Sequence, residues 1–362
     1  MTRQPAAKQA GTKQNAGNFF EDFEVGTTLV HATPRTITQA DAALTIALYG
    51  NRFVVPCAQT FAQAIGYPEA PLDDMLVFHI VFGKTVPDIS LNAIANLGYA
   101  DCRFHRPVYP GDTISVTSDV IGVKENSNGK TGVVYVRTRG LNAAGEDILS
   151  FVRWVMVRKR DAASPAPEPQ VPDLPDAIAV AAAPEHIAAL DMSAWSHALS
   201  GAPHRYGDYE IGEQIDHVDG TTIEEAEHQL ATRLYQNTAK VHFNQHTEGE
   251  GRFGRRLIYG GHIISIARAL SFNGLANAFH ILGINAGQHV APCFAGDTIY
   301  AWSEVRDMAT FDNCREVGAL RLRTVAVKNR NAADFPDRST DGTDKPAEGV
   351  VLDLDYWVAI PR

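Results

Sequence analysis

An internal repeat constrains this chain more than any other feature of its sequence. Residues 20–29, FEDFEVGTTL, resemble residues 206–215, YGDYEIGEQI, at an offset of 186 (206 − 20). Residues 106–116, RPVYPGDTISV, resemble residues 291–301, APCFAGDTIYA, at an offset of 185 (291 − 106). A unit of this length is too long for a solenoid repeat and has the size of a domain. We therefore predict two domains of like fold in one chain.

The domain boundaries follow from local composition. Residues 161–186 combine many prolines with alanine, which predicts a linker and argues against a continuous helix or strand. The repeat then places one domain at residues 18–160 and the other at residues 187–362. Residues 1–17 are polar and lack an apolar core, so we expect a disordered tail there.

The order of patterns within each half predicts its fold class. Helical segments come first, and long alternating runs rich in β-branched residues, such as GKTGVVYVRTRGLN, follow as strands of an antiparallel sheet. The segment HIISIARALSF, residues 262–272, is apolar almost all round, which predicts a buried helix. We expect an α+β fold in which the sheet of each half curls round one apolar helix.

Charge and cysteine content exclude several classes of function. The formal net charge of −10 over 362 residues argues against general nucleic-acid binding, which needs clustered Lys and Arg. The four cysteines are scattered without metal-ligand spacing, so neither a disulfide framework nor a metal site is expected. The N-terminal segment shown lacks the apolar core of a signal peptide, and the sequence contains no apolar run of about eighteen residues. We therefore expect a cytoplasmic protein without a membrane segment.

The stretch from Tyr235 to Asn273 contains the candidate chemistry. A polar, turn-prone run supplies Asn237 and places His242 five residues later. Gly260 and Gly261 lead into the apolar helix, whose first N–H groups form the positive end of its dipole and suit an oxygen that gains negative charge. The pattern predicts an acid/base histidine beside an oxyanion site. A structural histidine before an ordinary helix start fits the same residues.

Three arginines, Arg252, Arg255 and Arg256, occupy the glycine-rich segment before that helix. Such a loop is commonly a solvated face. In an acidic protein, clustered guanidinium groups also suit phosphate or carboxylate groups, which they bind in a bidentate way. Both interpretations stay open, and we take the three arginines as candidate substrate contacts.

These motifs resemble those of the MaoC-like enoyl-CoA hydratases, which have the hot-dog fold. The family motif is an Asp, an Asn two residues later and a His five residues after the Asp, followed by His-Gly at the central helix. Here Asn237 replaces the Asp and Ala239 replaces the Asn, whereas His242 and the second glycine, Gly261, are kept. The segments LYQNTAKVHFN and RLIYGGHIIS most resemble those of the mesaconyl-CoA hydratase branch of this family, also called β-methylmalyl-CoA dehydratases.

The resemblance implies a double hot-dog lyase that reversibly adds water to mesaconyl-CoA, giving β-methylmalyl-CoA. It implies that His242 moves the proton and that Asn237 only orients water, because an amide is not a general base. The N–H of Gly261 would stabilise the thioester oxygen, and Tyr235 and Gly260 are expected to contact the substrate. No cofactor or metal is expected beyond the CoA of the substrate. A homo-oligomer, dimer or higher, is expected.

The first half lacks the proton carrier. It keeps Asn51 where the second half has Asn237, but Pro56 stands at the position of His242 and Phe78 stands near the glycine position. We therefore predict one active site per chain, in the second half. The first half is expected to be structural, with a degenerate cleft open to the acyl or CoA tail.

Two alternatives stay open on sequence alone. A hot-dog acyl-CoA thioesterase generally uses a carboxylate near the helix start, for which Glu248 and Glu250 are the candidates. A non-catalytic acyl-CoA binding protein is compatible with the loss of the motif Asp. Release of free CoA would identify the first, and affinity without turnover the second.

Overall fold

The computed structural model describes residues 2–3, 13–339 and 345–362. Most of the tail predicted at residues 1–17 lies outside these ranges. The α-helices are α1 (Gln39–Tyr49), α2 (Val54–Cys57), α3 (Gln59–Ala64), α4 (Asp74–Ile89), α5 (Glu185–Ala188), α6 (His197–Ser200), α7 (Glu225–Leu234), α8 (Lys240–Phe243), α9 (Gln245–Gly249), α10 (Gly260–Leu270) and α11 (Phe272–Leu275). The strands are β1 (Thr2–Arg3), β2 (Thr28–Thr36), β3 (Ala93–Phe104), β4 (Thr113–Glu125), β5 (Thr131–Leu141), β6 (Asp147–Arg158), β7 (Gln214–Asp216), β8 (Thr221–Thr222), β9 (His280–His289), β10 (Thr298–Phe311), β11 (Cys314–Lys328) and β12 (Val350–Pro361).

The described strands form one mainly antiparallel sheet of twelve strands. Five strands of the first half follow the order β2-β4-β5-β6-β3, and their equivalents in the second half follow the same order, β7-β10-β11-β12-β9. The strands β3 and β9 are antiparallel neighbours, with Tyr99 opposite Gly287 and Arg103 opposite Gly283. They join the two half-sheets edge to edge, so the repeat in the sequence is also a repeat of strand order.

Each half-sheet wraps one central helix, α4 in the first half and α10 in the second. Both helices are buried on nearly all sides, as the apolar pattern of α10 predicts. A hydrogen bond of 2.9 Å between His79 Nε2 and Ser265 Oγ connects them. This architecture confirms the predicted α+β double hot-dog. No helix in the described part of the chain combines the length and apolar composition needed to cross a bilayer.

The helix of the first half begins at Asp74, four residues before Phe78. Asp73 explains this start, because its Oδ1 accepts hydrogen bonds from the N–H groups of Met75 at 2.9 Å and Leu76 at 3.2 Å. A side-chain cap of this kind satisfies amides that have no partner inside the helix. The positive end of α4 is therefore occupied by a carboxylate of the chain itself.

The helix of the second half begins at Gly260 and ends at Leu270, two residues before the end of the apolar segment 262–272, and the backbone of Asn273 is not helical. Its start is equivalent to that of α4 at the repeat offset of 186 (260 − 74). Asp74 and Met75 thus stand at the positions of the glycine pair. The prediction that placed Phe78 near the glycine position was wrong by one helical turn.

The two halves share a hydrophobic core. Phe78 and Phe82 of α4 belong to the same buried cluster as Tyr235 and Tyr259 of the second half. Gly83 permits the closest approach, since a Cβ at this position would lie 1.9 Å from the carbonyl oxygen of Tyr235. The turn that follows α7 therefore presses directly on α4.

The segment between β6 and α5 crosses from one half to the other without a helix of its own. Gln170 forms an isolated bridge with Val123 of β4, and the N–H of Ile178 donates to Oδ1 of Asn285 in β9 at 2.9 Å. Its many prolines lack the N–H that a strand would need. The segment nevertheless packs against both halves.

Candidate active site

A cleft of about 370 Å³ lies between the two halves. Its second-half wall is formed by α8, the loop after α9, the start of α10 and the end of β9, and its first-half wall by α4, β3 and β6. Its volume is in the range of small-molecule sites. The polar and aromatic lining residues include Asn237, His242, Arg252, Tyr259 and His289 from the second half, and Phe82, Asn96, Tyr99 and Arg153 from the first.

His242 is a buried residue of α8 that lines this cleft. Its Nδ1–H donates to the carbonyl oxygen of Leu257 at 2.8 Å, and the N–H of Leu257 donates to the carbonyl oxygen of Val241 at 3.0 Å. A carbonyl only accepts, so the proton sits on Nδ1 and the Nε2 lone pair is left for a ligand. Burial lowers the pKa of His242 to about 4, so the ring is neutral at neutral pH. This geometry suits a general base.

Asn237 is 1% exposed and lies in the turn between α7 and α8. Its Oδ1 accepts a hydrogen bond from the N–H of Ala239 at 3.1 Å, which closes an Asx turn. Gln236, with a positive φ of 53°, reverses the chain just before it. With Oδ1 used by the turn, Nδ2 is the side-chain group free to donate to a ligand in the cleft. The amide can therefore orient a water or hydroxyl oxygen.

The start of α10 borders the same cleft. The N–H of Tyr259 donates to His228 Nε2 at 2.9 Å, so the N–H groups of Gly260 and Gly261 are the next in the unsatisfied first turn. Gly260 lines the cleft, and a Cβ on it would lie 2.4 Å from the His289 ring. Gly261 lies behind it, where a Cβ would lie 2.4 Å from the Tyr259 ring. Both glycines are needed for rings to pack this close to the helix start.

A second cleft histidine, His289, was missed by the sequence analysis. It is the last residue of β9, and its Nε2 lies 3.2 Å from the hydroxyl of Tyr99. Burial and then the nearby His242 imidazole lower the pKa of His289 to about 4. The only signal in the sequence is a polar residue at the end of a strand, before APCFAGDT. The equivalent strand of the first half, β3, ends at Phe104.

Tyr235 is not brought to the cleft. Its side chain is fully buried, and its hydroxyl lies 2.6 Å from the hydroxyl of Tyr49, which lies 2.9 Å from His262 Nδ1. Its ring packs against His79 of α4, with ring centroids 4.7 Å apart. This position supports a role in joining the two halves and gives no support to the predicted substrate contact.

The three predicted arginines separate in the structure. Arg252 is exposed and lines the mouth of the cleft. The guanidinium of Arg255 lies 4.0 Å above the ring of Phe294. Arg256 turns away from the cleft, since it donates to Gln229 Oε1 and pairs with Glu225 at 3.3 Å. Arg252 is therefore the one of the three placed to meet a ligand in this cleft.

The equivalent pocket of the first half is filled. Its volume is about 20 Å³, roughly the room for one water, so it cannot hold the acyl or CoA tail that we had assigned to it. Pro56 takes the place of His242, and Phe53 takes the place of Ala239 at the offset of 186 (239 − 53). Asp73 caps the helix start. Steric filling and this internal carboxylate together close the first-half site.

Comparison with known proteins identifies the family. The model of the mesaconyl-CoA hydratase family matches residues 2–343. The chain belongs to the mesaconyl-CoA hydratase family. It is 60% identical over 352 residues to the beta-methylmalyl-CoA dehydratase of Chloroflexus aurantiacus, covering 97% of this chain and 99% of that protein. It is 58% identical over 353 residues to the mesaconyl-CoA hydratase of Cereibacter sphaeroides, covering 97% and 100%.

Solved structures share the fold of this chain. A crystal structure of a MaoC domain dehydratase from Chloroflexus aurantiacus matches with a TM-score of 0.93 and 59% identity, covering 97% of this chain and 99% of that one. A Mycobacterium tuberculosis protein with a double hot-dog fold matches with a TM-score of 0.74 and 24% identity, covering 96% and 100%. The predicted resemblance and the predicted fold are both confirmed.

The repeat offers a matched pair of substitutions in this member of the mesaconyl-CoA hydratase family. Asn51 Nδ2 donates to Asp73 Oδ2 at 2.7 Å, whereas Asn237 has Tyr259 at the equivalent helix cap and so keeps its Nδ2 for a ligand. We expect Asn51→Ala to lower the free energy of unfolding by about 1–3 kcal/mol without changing turnover. We expect Asn237→Ala to lower turnover instead. Urea unfolding and steady-state rates of both variants measure this, and slower turnover in a well-folded Asn51→Ala would contradict it.

Proposed function

We propose that the chain catalyses the reversible addition of water to mesaconyl-CoA, giving β-methylmalyl-CoA. The observation that carries the proposal is one cleft holding a neutral His242, with Nε2 free, and the unsatisfied first turn of α10. The names of the relatives in Chloroflexus aurantiacus and Cereibacter sphaeroides support the choice of substrate.

In the proposed mechanism, Asn237 Nδ2 holds the water and His242 Nε2 removes its proton. The resulting hydroxyl adds to the β-carbon of the acyl group as the double bond opens. Charge moves to the thioester oxygen, where the N–H groups of Gly260 and Gly261 stabilise it. The protonated His242 then returns the proton to the α-carbon. The net change is one H and one OH added, and dehydration is the same path in reverse.

The neighbours of the thioester end fit this course. His289 packs over Gly260, so an imidazole and the helix start border the same part of the cleft. A half-buried, neutral ring there displaces water and lowers the local dielectric, which strengthens the interaction between an oxyanion and the N–H groups. Arg252, at the exposed mouth, is placed for the phosphates of CoA, whose charges suit a guanidinium.

The thioesterase alternative lacks its carboxylate. No described residue that lines the cleft is an Asp or a Glu. Glu248 lies in α9 and Glu250 follows it, both outside the cleft lining. A single screen of mesaconyl-CoA, crotonyl-CoA and long enoyl-CoAs separates the candidates, with loss of the enoyl-thioester absorbance read beside a thiol reagent. Loss of absorbance without free CoA supports the hydratase, free CoA supports the thioesterase, and affinity without either supports a binding protein.

A substitution that restores the family carboxylate tests the role of Asn237. We expect Asn237→Asp to keep measurable activity, because the side chains are nearly isosteric. We also expect a larger loss of rate on mesaconyl-CoA than on crotonyl-CoA, because a new Asp repels the free carboxylate of mesaconyl-CoA. Steady-state rates on the two substrates measure the difference. Equal losses on both would remove the repulsion argument.

We also propose that the protein is a cytoplasmic homo-oligomer, dimer or higher. The four cysteines support a reducing compartment, since Cys57, Cys102, Cys293 and Cys314 are all free thiols. Light scattering coupled to size exclusion measures the oligomeric state, and a single 39.3 kDa species would contradict an oligomer.

A further inference from the structure

Arg153 of β6 is a buried cation that lines the active cleft. Its side chain is 0% exposed. Its Nη1 donates to Ser90 Oγ at 3.1 Å and its Nη2 to Thr85 Oγ1 at 2.7 Å, while Nε has no partner. Its guanidinium lies 4.3 Å from the centroid of the Phe82 ring. No described carboxylate lies within ion-pair distance of it, so only hydroxyls and a ring compensate the charge.

A charge held in this way is costly, because burial removes its hydration and no opposite charge replaces it. Burial lowers the pKa of Arg153 only to about 10, so the group is still a cation at neutral pH. Arg323, another buried arginine of the described chain, is paired with carboxylates. Arg323 pairs with Asp337 at 2.5 Å and with Asp353 at 2.7 Å.

The filled pocket of the first half gives the sharpest contrast. Arg268 lines that pocket together with Asp73 and Asp74. Burial lowers the pKa of Arg268, and the nearby Tyr356, Asp73 and Asp74 oppose that shift without forming an ion pair. Each of the two pockets of the repeat is therefore lined by one buried guanidinium. In the filled pocket the chain supplies the carboxylates, and in the open cleft it supplies none.

We infer that Arg153 binds the free carboxylate of the acyl group, which makes it the residue that selects acyl-CoA substrates carrying a second acid group. The inference rests on the proposed function. In β-methylmalyl-CoA the new hydroxyl and the free carboxylate share one carbon, so an anion site near the attacked carbon holds that carbon in place. A planar guanidinium with unused N–H groups suits a carboxylate in a bidentate way.

Two features of the cleft agree with this assignment. Asn96 of β3 also lines the cleft, and neither its Oδ1 nor its Nδ2 has a partner, so its amide is available to the same carboxylate. Two rings, Phe82 and Tyr259, form the path from Arg153 to His242, with centroid distances of 5.6 Å between the rings and 5.5 Å from Tyr259 to His242. Arg153 and His242 thus border one continuous cleft.

The unpaired charge of Arg153 also disfavours acyl-CoA substrates that lack a second carboxylate. A monocarboxylic acyl group would fill the cleft without compensating Arg153, and the buried cation would stay unpaired. We therefore expect wild-type protein to bind succinyl-CoA at least about tenfold more tightly than butyryl-CoA, which has the same chain length without the acid group.

Equilibrium binding of these two saturated, unreactive thioesters, followed by calorimetry, tests the inference. Arg153→Met is expected to weaken the binding of succinyl-CoA by about 30-fold or more and to leave butyryl-CoA within about threefold. Arg137→Met is the matched control, because Arg137 lies on the adjacent strand β5, pairs with Asp101 at 2.8 Å and faces away from the cleft. It should leave both affinities unchanged.

Two further measurements distinguish a lost carboxylate site from a variant that has simply unfolded. A functional charge without a partner costs stability, so ligand-free Arg153→Met should melt at the same temperature as wild type or above it. Arg153→Lys keeps the positive charge but loses the planar guanidinium that binds a carboxylate in a bidentate way. It should weaken the binding of succinyl-CoA by about fivefold or more relative to that of butyryl-CoA. A preference for succinyl-CoA that survives in both variants, or is missing in wild type, overturns the inference.

The same measurements separate this inference from the proposed function. Binding of the saturated thioesters needs no turnover. Hydration of mesaconyl-CoA with an unchanged preference in Arg153→Met would leave the function standing and remove the carboxylate site. If the preference for succinyl-CoA depends on Arg153 but the protein hydrates no enoyl-CoA, the carboxylate site stands and the proposed function is removed.

Discussion

His242→Ala is expected to lower the hydration rate of mesaconyl-CoA by about 10²- to 10⁴-fold, the usual effect of losing one positioned acid/base group. The structure gives the reason: burial keeps the ring neutral, and the bond from Nδ1 to Leu257 leaves Nε2 as the base. No described cleft residue offers a carboxylate that could take over. Steady-state rates on saturating mesaconyl-CoA measure the loss.

The control for His242→Ala lies in the other half. Pro56 occupies the equivalent position in α2, so Pro56→Ala should leave the rate within about twofold of wild type. Circular dichroism and thermal melting of both variants should match wild type, because only one hydrogen bond is lost at His242. Full activity in a folded His242→Ala would remove the proposed mechanism.

Acidification is expected to unfold the protein by about pH 5. Five buried histidines have a pKa lowered by burial to between about 2 and about 4: His79, His217, His228, His242 and His262. In the unfolded chain each binds a proton below about pH 6.5. Between about pH 4 and 6.5 the unfolded state therefore binds more protons, so the free energy of unfolding falls as the pH falls. Each histidine contributes about 1.4 kcal/mol per pH unit in this window.

Urea unfolding at pH 7.5, 6.5 and 5.5 measures this dependence. His217 provides a test away from the cleft, because its ring bonds to the carbonyl oxygen of Asn273 at 2.7 Å and to Ser303 Oγ at 2.8 Å. His217→Gln should reduce the pH slope by about one proton, whereas the exposed His204→Gln should leave it unchanged. A urea midpoint that stays constant from pH 7.5 to 5.5 would contradict the role of buried neutral histidines.

The fold was predictable because its strongest determinant is visible in the chain. The repeat, at an offset of 185 to 186 residues, predicted that both halves have the same fold, and both have the same strand order. The apolar pattern of residues 262–272 predicted the central helix of the second half. Helix starts were less visible. Asp73 looks like any acidic residue in PLDDMLVF, and its role as a cap depends on a local geometry that hydrophobic periodicity does not report.

Site residues were predictable where residue type alone suggests the function. They were less predictable where the function depends on the direction in which a side chain points. His242 and Gly260 lie in the cleft, as their chemistry suggested. Tyr235 is only two residues from Asn237, but Gln236 adopts a left-handed conformation between them, so their side chains point to different places. Sequence proximity could not reveal that reversal.

Arg153 left a signal that was not used. In the strand FVRWVMVR, period two places it on the same face as Phe151, Val155 and Val157, all of which are 0% exposed. A charged residue in the middle of an apolar strand face calls for a partner. The sequence offers no carboxylate as that partner, and in the described part of the chain the guanidinium bonds only to the hydroxyls of Ser90 and Thr85.

Because β3 and β9 join the two half-sheets within one chain, the cleft between the halves should stay assembled when the protein is diluted. One wall carries Arg153 and the other His242, and in a protein built from separate subunits these walls would have to meet by diffusion. Here residues 161–186 tether them, so the encounter is intramolecular and its effective concentration is set by the tether, whatever the amount of protein. Because each wall is encoded once, a charge can change in one half without appearing in the other. The described chain can thus place the carboxylates of Asp73 and Asp74 in the pocket of one half and leave the lining of the other cleft without any.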